Sequence, residues 1–142
     1  MTVVLRVGLA VLAATMLVVG AWNEFWPREF FDHFPTVSLL PPYSEHFARD
    51  YGGTSLGLGV VLAAAALFPR TILVIPALLG IWAWALPHFV FHMSELDHGT
   101  EADAAFNIVA TGGAAVLPPV LLLVAVLRMT RDRRALHDPP VG

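Results

Sequence analysis

Four long apolar runs alternate with short polar stretches, and that pattern sets the expected architecture. The runs cover residues 3–22, 52–68, 71–93 and 104–127, and only the first contains a charge, Arg6. Runs of this length can cross a hydrocarbon layer of ~30 Å. Lipid offers backbone polar groups no partner, so each run must satisfy them internally as a helix. The expected fold is therefore all-α. It is a four-helix transmembrane bundle formed by residues 1–142 as a single integral membrane domain. Pro69-Arg70 leaves only a tight turn between spans two and three, which makes them antiparallel neighbours. Span one has a second reading. Arg6, the apolar run and Val19-Gly20-Ala21 resemble a cleaved secretory signal. The length of the run and the thin polar lead favour a retained span.

The polar segment at 23–51 is too long for a simple loop. Pro27 suits the first turn of a short helix. Such a helix places Trp26, Phe30, Phe31 and Phe34 on one face and Arg28, Glu29, Asp32 and His33 on the other. That is the pattern of an interfacial helix capping the outer face. Pro41-Pro42 is expected to end the extended stretch after it. Ser44 is a candidate N-cap for a helix running into span two. Glu45/Arg49 and His46/Asp50 then pair one turn apart. Thr100-x-x-Asp103 resembles a capping box opening span four. Pro87 in span three and Pro118-Pro119 in span four remove helix hydrogen bonds and invite kinks.

Composition and charge sharpen the topology. Apolar residues make up 57% of the chain and charged residues 13%, with a net charge of −3 and no cysteine. That excludes a disulfide scaffold, thiol chemistry by this chain alone, and a basic nucleic-acid binder. Arg6, Arg70, Arg128, Arg131, Arg133 and Arg134 fall on one side with Asp132 and Asp138. The other side carries Arg28 and Arg49 against Glu24, Glu29, Asp32, Glu45, Asp50, Glu95, Asp97, Glu101 and Asp103. The positive-inside rule puts both termini, and the tail at 128–142, in the cytoplasm of a plasma membrane, with a bacterial source expected. The tail arginines meet anionic head groups. No ionisable group lies in the middle of a span, which argues against an ion-coupled transporter.

Five of the six histidines (His33, His46, His88, His92 and His98) lie at the outer end, among the acids. His88 and His92 are four apart on span three and face the same way. With His46 and Asp50 from span two and Asp103 from span four, they form a candidate site for a divalent transition metal (Zn, Fe, Mn or Cu) or a small polar ligand. The competing reading is structural: acids and histidines collect outside by default, and the imidazoles act as bundle glue. Gly53 and Gly57 form a small-xxx-small spacing that permits close helix approach or self-association.

Arg49-Asp50-Tyr51-Gly52-Gly53, running into Leu56-Gly57-Leu58-Gly59, resembles the glycine-rich span opening of DoxX-like bacterial membrane proteins. The resemblance implies a small four-span bundle and a link to redox or thiol-stress complexes. Three functions follow from the whole reading. The leading one is an outward-facing His/carboxylate site for a metal ion or small polar ligand. The second is an accessory subunit of a larger membrane complex. The third is a small enzyme using Asp50 with His88 or His92 as an acid/base pair.

Overall fold

The computed structural model describes residues 2–40 and 42–137, and five helices organise them. They are α1 (Thr2–Phe25), α2 (Pro27–His33), α3 (Glu45–Leu67), α4 (Thr71–Ser94) and α5 (Glu101–His137), with 3-10 turns at Val37–Leu39 and Leu96–His98. Four are long and apolar enough to cross a membrane: Thr2–Phe25, Glu45–Leu67, Thr71–Ser94 and Glu101–Asp132. The protein is thus a small polytopic membrane protein with an all-helical fold. The span from 52 is part of a helix that starts a full two turns earlier, because Ser44 caps it: its Oγ accepts from the Phe47 N–H at 3.5 Å. The tail expected from 128 is no separate element, since α5 continues through Arg128 to His137. Asp138, the residues beyond it, the side chain of Arg133, and Pro41 lie outside the described residues. Both α4 and α5 run through their internal prolines as single helices.

The four long helices alternate in direction. The termini therefore mark one end of the bundle, and the α2 segment with the α4–α5 turn marks the other, here called the far end. α1 packs most closely on α3, and α4 on α5. Glycine decides the first pairing. A Cβ on Gly20 would lie 2.9 Å from the Leu56 backbone nitrogen and 3.0 Å from the Gly52 carbonyl oxygen. A Cβ on Gly52 would lie 2.6 Å from the Glu24 backbone nitrogen. The close approach therefore runs through Gly20, Gly52 and Gly59, and not through Gly53 and Gly57. Gly57 meets nothing within 4 Å, and Gly53 only the Glu24 carboxylate at 3.6 Å. Both of the latter face outward, one helical step away from the packed stripe.

The near half of the core is apolar. Leu5, Leu9, Leu12, Leu62, Val74, Leu78, Ile81 and Leu121 interlock there. Lipid tails are as apolar as these side chains, so packing contacts rather than escape from water hold them together. Arg128 donates to the Pro69 carbonyl at 3.3 Å and ties α5 to the α3–α4 turn.

The cap departs from its expected face. Phe30 is buried, its ring edge-on to Trp22 at 5.5 Å and stacked on Phe34 at 4.6 Å. Trp26 is turned outward beside Phe25, because α1 ends there and the chain bends before α2 starts. Phe31 sits against Tyr43 at 5.4 Å. The polar face is as expected: Arg28 donates to Asp32 at 2.8 Å, which raises the guanidinium pKa above its ordinary value.

Candidate functional site

Towards the far end the buried faces of the helices turn polar. On α1 the inward stripe Leu5, Leu9, Leu12, Met16, Gly20 ends on Asn23. On α5 the inward positions at this end are Asn107 and Thr111. Ser55 is the buried position of α3 after Gly52. On α4 the rings of Trp84 and His88 stack at 4.7 Å, and His88 meets His92 edge-on at 4.5 Å. The Tyr51 ring of α3 lies 5.8 Å from Trp84.

The 3.6-residue period explains the column on α4. Trp84, His88 and His92 are each four apart and share one face, so the aromatic rings stack along it. Two atoms in this region are buried without a hydrogen-bond partner, Asn23 Oδ1 and His92 Nδ1. Buried polar atoms are nearly always paired with protein or water, so each of these atoms, one on α1 and one on α4, can take a hydrogen bond from a water or a ligand group. The imidazoles suit that need. Neutral histidine donates from one ring nitrogen and accepts at the other.

The five residues expected to form one site are divided by the fold. His88 and His92 come together. His46 and Asp50 pair with each other at 3.3 Å on the solvent side of α3, both largely exposed. Asp103 accepts from the Thr100 N–H at 2.9 Å and hydroxyl at 2.7 Å, while its own N–H donates back to the Thr100 oxygen at 3.3 Å. The capping box thus occupies the carboxylate that was a candidate ligand. Among the described residues no group of three or more His, Cys, Asp or Glu side chains could hold a metal ion. Nor does a hydrogen bond or ion pair join Asp50 to His88 or His92 among them. His98 pairs with Glu95 at 3.2 Å and Asp97 at 3.1 Å, and His33 with Glu29 at 3.3 Å. An exposed histidine at this end therefore spends itself on a neighbouring acid.

The cap role of Asp103 is separable from a ligand role. Asp103→Ala should weaken the start of α5 by ~1 kcal/mol, the usual worth of a lost cap. It should leave the His88–His92 contact unchanged. Detergent unfolding followed by circular dichroism, with histidine ring resonances read beside it, checks both halves.

Sequence reading missed two contributors. Thr36 is buried, and its hydroxyl donates to Asn107 Oδ1 at 2.9 Å. The backbone carbonyl of Asn107 accepts from the Thr111 hydroxyl. No local signal marks Thr36, because its partner lies 71 positions away. Asn23 was detectable: it continues the buried stripe of α1 by one more turn. Searches for similar proteins return no matching family model, no matching curated protein and no matching solved structure. The likeness to DoxX-like proteins rests on the residues quoted for it alone.

Proposed function

We propose that the protein binds a small polar ligand at the far end of its bundle, with the His88–His92 pair as the recognition element. The observation that carries this reading is the His92 Nδ1, buried and unpaired on a ring packed against a second imidazole. The carboxylate beside His92 is Glu95, which already pairs with His98 at 3.2 Å, so a ligand at the two imidazoles is recognised through hydrogen-bonding groups. A transition metal is the variant of the same reading: Zn, Fe, Mn or Cu would take two imidazole nitrogens from the chain and fill its other positions from solvent or a bound ligand. The far end faces outside the cytoplasm on the arginine count. A phosphatase fusion at the C-terminus should be inactive and a fluorescent-protein fusion there should be bright; the reverse pattern would invert the topology.

The test is a melting screen of purified protein in mild detergent. The panel is amino acids, monosaccharides, short carboxylic acids, and Zn and Cu salts. At least one solute should raise the midpoint of the wild type, and the rise should vanish in His92→Phe and His88→Phe. No solute doing so, or equal rises in the variants, removes the reading.

A second reading draws on Gly57, whose outward side is open. A membrane partner or a second copy could approach α3 closely there, as in an accessory subunit. Substituting Gly57 with leucine should then dissolve a cross-linked species in native membranes without changing the stability of the isolated chain.

A further inference from the structure

We propose that residues 34–40 form a strap that closes the polar end of the core, with the Thr36–Asn107 hydrogen bond as its latch. The strap crosses from the α1 side of the bundle to the α4–α5 side. Phe34 starts it, with its ring 6.2 Å from Trp22 of α1 and 6.1 Å from Phe106 of α5. Leu39 finishes it against the α4–α5 turn, where its Cδ1 would lie 2.8 Å from a Cβ on Gly99. Between these apolar contacts, the Thr36 hydroxyl donates to Asn107 at 2.9 Å, the one side-chain hydrogen bond from this segment to a helix among the described residues.

The latch sits on a strained residue. Thr36 is the only non-glycine among the described residues with a positive φ, at 70°. A β-branched side chain rarely adopts that conformation, so the surroundings must hold it there. Losing the hydrogen bond removes one restraint and lets the backbone relax away from the left-handed region. The closed arrangement is therefore poised rather than deeply held. Asn23 follows Trp22, whose ring the strap's Phe34 meets. It is 4% exposed and belongs to the buried run that continues through Pro27 and Phe30. Gly8 of α1 meets Leu121 of α5. Counting outward from that contact along two antiparallel helices of equal rise brings Asn23 level with the Asn107 turn. The unpaired Asn23 Oδ1 and the latch therefore share one layer of the bundle.

This inference rests on the reading of the polar end as a binding site, but its test needs no ligand. The chain has no cysteine, so Asn23→Cys creates a unique reporter. Its reaction rate with a charged maleimide is measured on the full chain in mild detergent. Adding Thr36→Val deletes the donor and keeps the side-chain shape. Labelling should then rise about three- to tenfold, the factor set by the net worth of one hydrogen bond. Asn107→Leu should do the same. Thr36→Asn should restore slow labelling, because asparagine tolerates the left-handed region and still carries a donor. A second reporter, Ala13→Cys in the apolar core, should stay unlabelled in every background. Unchanged rates in Thr36→Val and Asn107→Leu overturn the strap. So does an Ala13→Cys rate that climbs in step, since that would be general loosening. If the strap opens as expected while no solute stabilises the protein, the strap stands and the ligand reading falls.

Discussion

Gly52→Leu should destabilise the bundle by about 3 kcal/mol, the upper end of overpacking costs, while Gly57→Leu stays within about 0.5 kcal/mol. The two positions are five residues apart on one helix and differ only in what they face. At Gly52 an added Cβ would lie 2.6 Å from a backbone nitrogen of α1 and 2.9 Å from a Cα. Backbone cannot rotate aside as a side chain can, so the helices must separate over that whole contact. The loss is then shared by Gly20 of α1 and Gly59 of α3, which lie in the same α1–α3 contact. At Gly57 no atom lies within 4 Å. Unfolding in mixed detergent, followed by circular dichroism, reads both variants. Equal losses at Gly52 and Gly57 would mean that α1 and α3 do not pack through the Gly20–Gly52–Gly59 stripe.

The second large effect carries an unusual sign. Asn23→Leu should stabilise the protein by about 1–2 kcal/mol and abolish any solute response. A buried polar atom without a partner carries a desolvation cost of about 1–3 kcal/mol, and an apolar side chain of similar size removes it. Natural sequences keep such groups at functional sites, where stability is given up for binding. Leu78→Ala supplies the contrast. It removes a fully buried side chain from the apolar half, and should cost about 2–5 kcal/mol with the solute response intact. Melting midpoints with and without the best solute separate these cases. A destabilising Asn23→Leu would show that the amide is satisfied in the native protein.

Much of the fold was legible in the sequence, because bilayer thickness and backbone hydrogen bonding leave few options for runs of this length. The four spans, the Pro27 helix start, the Ser44 cap, the Thr100–Asp103 box and the paired Glu45/Arg49 all follow from local rules acting within a turn or two. The site was legible only in part, for the same reason. Spacing along one helix brought His88 and His92 together. It could not say whether Asp50 would turn inward to them or outward to His46, because that depends on the rotation of α3 about its axis. The glycines make the same point. Gly53/Gly57 and Gly52/Gly59 are adjacent frames on one helix, and tertiary contact with α1 chose the second. Asp103 was claimed by its own capping box, a local bond that competes directly with any role as a ligand. Thr36 lay beyond reach entirely, since its meaning comes from a partner on the last helix.

The most direct measurement is nitrogen-15 NMR of histidine-labelled protein in lipid nanodiscs, recorded before and after adding the solute that best stabilises it. His92→Phe assigns the His92 signals. The expected result is a shift of the His92 ring nitrogens, and of those of His88, with the resonances of exposed His33, His46 and His98 unmoved. A stabilising solute that leaves the His92 and His88 signals in place, or moves all five equally, would contradict a binding site at the far end of the bundle.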